Sequence, residues 1–193
     1  MKKQKTMTDE ELAMAYMSGD NTAFDELLLR YKTKVFSYIY SMVNDKTIAE
    51  DIFQDVFIKI IVNLQERRYT NLGCFSFWVT RITRNMLIDH HRKERLIRAE
   101  TNEDNDLSAL KQDSLTEVCH ETNIITRQVQ DDAIKLMEHL PAPQREVVYL
   151  KFFEDMSFKE IAKLTNVSIN TSLGRMRYAI INMRRMAKKY DVF

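Results

Sequence analysis

Hydrophobic positions along this chain recur at steps of three and four, the period of a helix that buries one face. Thr8 followed by Glu11 has the pattern of a capping box and predicts a short helix over Asp9–Met17, broken at Ser18-Gly19-Asp20. A longer helix is expected from about Thr22, with Phe24, Leu27, Leu28, Tyr31, Val35, Tyr38, Ile39 and Met42 at helical spacing, ending at Asn44-Asp45. The next, from about Thr47 to Leu64, places Phe53, Val56, Phe57, Ile60, Ile61 and Leu64 on one core stripe. Its other face carries Asp51, Gln54 and Asp55 together with Ile58 and Val62. Acids mixed with branched aliphatics fit a partner surface or a helix buried on two sides, and the pattern alone leaves both open.

Tyr69–Gly73 reads as a loop. A helix from about Phe75 to Arg98 follows, with Phe75, Val79, Ile82 and Met86 expected inward and Arg81, Arg84, Arg92 and Arg95 on roughly the opposite side. Solvated charge faces usually alternate in sign, and this one does not, which favours a nucleic-acid role. Residues 99–123 are rich in Asn, Asp, Glu and Ser and poor in apolar residues, the composition of a flexible linker. Structure is expected to resume near Ile124, in a helix to about His139 that buries Ile125, Val129, Ile134, Leu136 and Met137. Leu140-Pro141-Ala142-Pro143 turns the chain, with Pro143 suited to the first turn of a helix carrying Val147, Val148 and Leu150 to about Phe153.

The last segment has the layout of a helix-turn-helix. Ser157 and Glu160 form a second capping-box pattern for a short helix through Leu164. Thr165-Asn166-Val167 makes the turn, and Ser168 caps a longer helix. On that helix Ile169, Leu173, Met176, Ile180 and Met183 are expected inward. Thr171, Gly174, Arg175, Tyr178 and Asn182 are expected outward, with Asn170 and Arg177 at the edges. Thr, Asn and Arg near a helix N-terminus suit base edges and phosphates in a major groove. Gly174 costs such a helix about 1 kcal/mol relative to Ala, so a close approach to DNA or to a neighbouring helix is the expected reason for it.

Composition narrows the class. Only 3 Gly and 2 Pro in 193 residues argue against all-β and doubly wound α/β folds, which need many turns and glycine loops, and leave an all-α protein of two small helical domains. No apolar run follows Met1 and no stretch reaches the roughly 18 residues of a membrane span, so a cytoplasmic protein is expected. The net charge of +1 hides a segregated distribution. Residues 81–98 carry six basic side chains against Asp89 and Glu94, residues 100–122 seven acidic ones against Lys111, and residues 174–189 six basic ones and no acid. Two basic segments separated by an acidic one point to nucleic acid despite near-neutrality. Cys74 and Cys119 are too few and too far apart for a disulfide framework, and Cys119-His120 lacks a second ligand pair, so no metal or cofactor is expected. His90, His91, Glu50, Asp51 and Asp55 do not converge at catalytic or metal spacing, which argues against an enzyme. A repressor using the helix-turn-helix, and an adaptor that binds only proteins, are the other readings of these elements.

Four motifs in order give the chain a resemblance to the short extracytoplasmic-function sigma factors of the sigma-70 class. They are Gly19-Asp20 with Ala23-Phe24 and Leu27 through Arg30-Tyr31; Ala49-Glu50-Asp51 with Gln54-Asp55-Val56-Phe57; Trp78 through Arg81-Ile82, Asn85, Ile88-Asp89 and Arg92; and Leu140-Pro141, Arg145, Ser157, Glu160-Ile161-Ala162, Val167-Ser168, Thr171 and Ala179. The resemblance implies a region 2 domain over 1–98, a linker over 99–123 and a region 4 domain over 124–193. It implies that Asp51, Gln54, Asp55, Ile58 and Lys59 dock on the clamp of the polymerase β′ subunit. Thr70, Asn71, Leu72, Phe75, Trp78, Arg81, Arg84, Asn85 and Arg92 would open the −10 element and hold an extruded base, a task suited to aromatic faces and cations. Ser168, Asn170, Thr171, Gly174, Arg175, Arg177 and Tyr178 would read the −35 element while their domain binds the β flap. Core RNA polymerase, promoter DNA and an anti-sigma factor are the implied partners, with no small-molecule substrate. Ser172 and Leu173 depart from the family, which often has a branched aliphatic followed by a basic residue there, and this leaves the phosphate contact to Arg175 or Arg177.

Overall fold

The computed structural model describes residues 7–70, 74–100 and 133–189, and the side chains of these except at 98–100. Every regular element among the described residues is an α-helix, and the chain divides into two compact units, Met1–Arg92 and Lys93–Phe193. The first contains α1 (Asp9–Met17), α2 (Asn21–Val43), α3 (Lys46–Gln65) and most of α4 (Phe75–Glu100). The second contains the helical residues 133–138 (α5), α6 (Ala142–Phe152), α7 (Phe158–Thr165) and α8 (Ile169–Lys189).

The caps set the helix ends. Thr8 accepts the Glu11 N–H at 3.2 Å while Glu11 accepts the Thr8 N–H at 2.8 Å, so the reciprocal box opens α1 where its sequence pattern lies. Gly19, at φ 107°, makes the break that a side chain would strain, and Asp20 then caps α2. Asn44, at φ 53°, closes α2 in the left-handed conformation that Asn tolerates, and Asp45 caps α3.

In the first unit α1 packs on α2 and α3, and α2 on α3. The core is Leu12, Leu27, Val35, Tyr38 and Ile39 against Ile52, Val56, Ile60 and Leu64. Each such aliphatic stabilises the fold by about 1.5–3 kcal/mol relative to exposure. Polar groups tie α1 down. The Asp9 carboxylate accepts from Arg30 Nη1 at 2.6 Å and from the Tyr31 hydroxyl at 2.5 Å. Burial, and next the bond to Asp9, push the Tyr31 phenol pKa up.

In the second unit Val147, Val148, Tyr149 and Leu150 are buried at four successive positions. A helix covered around a full turn is a central one, and α6 meets both α7 and α8. Arg145 ties back to the preceding turn, donating from Nη2 to the Leu140 carbonyl at 3.2 Å, and burial lowers its pKa. Leu136 and Met137 are buried as expected, and Leu140 of the turn is buried with them. Ile134 is not: it is 42% exposed, on the far side of α5 from Leu136. The expectations for Ile124, Ile125, Val129 and the linker up to Asn123 fall largely outside the described residues.

Asp9→Ala leaves the buried Tyr31 hydroxyl and Arg30 without their shared acceptor, so urea unfolding of the full chain should show a loss of about 2–3 kcal/mol, with Asp9→Asn losing less. A loss below about 0.5 kcal/mol would mean that α1 is held by apolar packing alone.

Candidate functional site

Three exposed faces carry the residues of interest. On α3, Asp51, Asp55, Ile58 and Val62 follow one another at steps of four and three and therefore share one side, with Gln54 beside them. All are exposed, Ile58 at 59%, and Lys59 is exposed at the edge of the face. The core is met by Ile52, Val56, Ile60 and Leu64 on the other side, and Phe53 and Ile61 are half-buried at the margins. The helix is thus covered on one side within its own unit, and of the two readings open for this face the doubly buried one is excluded.

On α4 the inward side is turned from the expected one. Phe75 and Val79 are buried, but Thr80, Thr83 and Leu87 complete the inner face, and Ile82 and Met86 are only half-buried. Thr80 and Thr83 satisfy their hydroxyls by donating to the carbonyls of Ser76 and Val79, each at 3.0 Å. Opposite them Arg81, Asn85, Ile88 and Arg92 line one exposed side at helical steps, with Arg95 close by and Arg84 half-buried. Trp78, half-buried, stands one turn before Arg81. Phe75 is only 2% exposed, edge-on to Tyr31 and Tyr69 at 5.4 Å each, so its ring supports this surface rather than forming it. Thr70 is exposed, whereas Asn71 and Leu72 lie outside the described residues.

The α7–α8 pair is a helix-turn-helix built by its caps. Ser157 and Glu160 bond reciprocally at the start of α7, and the bonds from Ser157 hold the Glu160 carboxyl below its usual pKa. Asn166, at φ 55°, closes α7, and Ser168 accepts the Thr171 N–H at 3.0 Å to open α8. The Ser168 and Thr171 hydroxyls also bond each other at 2.9 Å, so both serve the cap.

Around α8 the expected wheel is rotated. Ser172, Met176, Ala179 and Ala187 are buried, with Met183 half-buried, while Ile169, Leu173 and Ile180 are 46%, 44% and 38% exposed on a flank. The small residues let α8 lie close on α6 and α7. The Ser172 hydroxyl is buried without a hydrogen-bond partner. Asn182, expected outward, is half-buried and donates to Gln144 of α6 at 2.9 Å. Arg175 lies half-buried near that margin. Asn170, Arg177 and Tyr178 are exposed, as are Arg184, Arg185, Lys188 and Lys189. A Cβ built on Gly174 meets nothing within 4 Å, so no neighbouring helix requires the glycine.

A helix-turn-helix with a cationic outer face, and in the other unit a cationic helix and an acid-and-aliphatic face, fit the class of DNA-binding proteins that also dock on another protein. Sigma-70 region 2 matches residues 27–97 and sigma-70 region 4 matches residues 130–172, together more than half of the chain. The chain belongs to the sigma-70 family of RNA polymerase sigma factors, in its extracytoplasmic-function group. It is 29% identical over 161 residues to the ECF RNA polymerase sigma factor SigW of Bacillus subtilis, covering 82% of this chain and 85% of that one. Its fold is similar to that of the sigma factor RpoE in complex with the anti-sigma factor NepR from Bartonella quintana, with a TM-score of 0.66, 20% identity and coverage of 86% and 96%. It is similar too to CnrH in complex with the cytosolic domain of CnrY, with a TM-score of 0.63, 21% identity and coverage of 94% and 97%.

Since a Cβ at Gly174 would meet nothing within 4 Å among the described residues, Gly174→Ala should stabilise the full chain by about 1 kcal/mol in urea unfolding. If the close neighbour is DNA, the same variant should bind promoter DNA less tightly. Stabilisation with unchanged promoter binding would leave the glycine without a role at the interface.

Proposed function

We infer that this chain binds core RNA polymerase and directs it to promoters, reading −35 DNA with α8 and opening −10 DNA with α4. The observation that carries the reading is the exposed face of α3, where Asp51, Gln54, Asp55, Ile58 and Val62 stand in solvent beside a fully formed core. A repressor that acts alone has no use for such a face. It would dock on the clamp of β′, with Lys59 at its rim, while the second domain meets the β flap. We retain domain bounds of 1–98, 99–123 and 124–193 for these two tasks and their tether.

On α4, Arg81, Arg84 and Arg92 would hold the backbone of the separated strand, and Asn85 and Trp78 would meet an extruded base, with Thr70, Asn71 and Leu72 as its further expected contacts. Phe75 contributes by supporting Trp78, with ring centres 5.5 Å apart. On α8, Asn170, Thr171 and Tyr178 would face base edges and Gly174 would admit the DNA backbone. Arg177 is the better placed of the two candidate phosphate ligands, because it is exposed and Arg175 is half-buried. Ser168 acts through its cap. DNA is opened by exchanging base stacking for protein contacts, so no bond is made or broken and no cofactor or small-molecule substrate is involved. No described helix is long and apolar enough to cross a membrane, and work beside polymerase puts the chain in the cytoplasm. Two proteins of similar fold were solved with an anti-sigma factor or a partner's cytosolic domain, and an anti-sigma protein would restrain this chain in the same way.

Run-off transcription with purified core polymerase on promoter fragments tests the reading: defined transcripts should appear only when the chain is added. Asp51→Lys with Asp55→Lys should abolish those transcripts and weaken core binding without lowering the unfolding midpoint. Unchanged core binding by this folded variant would remove the docking face from α3. Arg177→Ala should lower promoter affinity of the holoenzyme and reduce the slope of log K against log salt by about one unit, the expected effect of one lost phosphate contact. An unchanged slope would assign that contact to another side chain.

A further inference from the structure

The start of α4 is met by a side chain from another helix. The residue before it is Cys74, whose exposed free thiol is a weak acceptor. The N–H of Phe75, one of the four that a helix start leaves unsatisfied, is bonded instead by Glu10 Oε1 of α1 at 3.1 Å, across 65 residues of sequence. The carboxylate also lies at the positive end of the α4 dipole, where a negative charge is favoured.

Three consecutive acids on α1 therefore have three different tasks. Glu11 closes the capping box of α1 itself, Asp9 holds Arg30 and Tyr31 of α2, and Glu10 holds the first turn of α4. The ring of Phe75 is gripped at the same point, between Tyr31, Tyr69 and Trp78. Trp78, Arg81 and Asn85 follow about one, two and three turns further along α4, so their direction is set from this end.

We propose that Glu10 is a positioning residue for promoter opening: through the Phe75 N–H it fixes the start and rotation of α4, and hence the side chains that meet the −10 strand. It touches no DNA, and the proposal rests on the reading of α4 as the strand-opening helix. Its consequence is that α1, remote in sequence from every DNA-facing residue, contributes to the opening step and not only to the stability of the fold.

The test compares Glu10→Ala and Glu10→Gln with the wild-type chain, each as the full chain bound to core polymerase. Core affinity, the rate of open-complex formation on a duplex promoter, and the same rate on a template already mismatched over the −10 element are measured. Loss of one helix cap predicts opening slowed about tenfold in Glu10→Ala with core affinity unchanged. The glutamine keeps an oxygen acceptor and should restore most of the rate, and the mismatched template should bypass the defect. Unchanged opening in Glu10→Ala overturns the proposal. So does a fall in core affinity that parallels the fall in opening, which would make Glu10 part of the fold alone. Glu10→Gln as slow as Glu10→Ala overturns it too, since the acceptor would then not matter. Failure of the wild-type chain to open any promoter would instead count against the assignment of α4.

Discussion

The packing of α2 against α3 constrains everything that the first unit presents. Leu27 and Ile39 on one helix, and Val56, Ile60 and Leu64 on the other, are almost wholly withdrawn from water. Together they bury enough apolar surface to outweigh any single polar interaction in the unit. Once they are inside, the rotation of α3 about its axis is no longer free. Asp51, Asp55, Ile58 and Val62 must stand outside, because helical geometry places them on the opposite side. Leaving an isoleucine and a valine in water is unfavourable for the isolated chain. The same arrangement offers a partner apolar area bordered by acids, and docking would recover that cost.

The helices were legible in the sequence because two strong signals coincide: apolar positions at helical spacing, and caps with a mechanism. Thr8/Glu11, Ser157/Glu160, Asn44 and Asn166 stop or start helices where their chemistry requires it. The rotations of α4 and α8 were read less well, and for one shared reason. The inner face of each helix is built partly from residues that a count of hydrophobics passes over. Thr80 and Thr83 return their hydroxyls to the preceding turn, so burying them leaves no donor unsatisfied. Ser172, Ala179 and Ala187 are small, and the closest packing falls where side chains are smallest. The larger Ile169, Leu173 and Ile180 consequently move to the flank.

Contacts between distant parts of the chain lie beyond any local pattern. Nothing in Asp9-Glu10-Glu11 reveals that the first acid meets α2 and the second meets α4, since a run of acids in a first helical turn already has a sufficient local explanation in the dipole. The Gln144–Asn182 bond was hidden in the same way: an asparagine on a basic helix reads as an outward polar residue until α6 is seen beside it. For the site, residue types on the α3 face were legible because their exposure follows from the core opposite. Phe75 was read both ways, inward by its helical spacing and on the strand-opening surface by the resemblance, because an aromatic at a helix start fits a core and a base-stacking surface equally well; the inward reading is the one its burial bears out.

Charge segregation and division into two units then work together. A cationic surface of only a few arginines and lysines, such as those on α4 and α8, would have modest affinity for DNA at physiological salt on its own. Two modest contacts become a strong one only when their spacing matches that of the two DNA elements, for the second contact then forms at a high effective concentration. Division into two units does not by itself impose such a spacing. Docking α3 and the second unit on one large partner would impose it. The α3 face is on this view a precondition of DNA recognition and not merely an accessory to it. A chain with net charge +1 can then avoid binding DNA at random while free, and bind it tightly once its two basic surfaces are held in register.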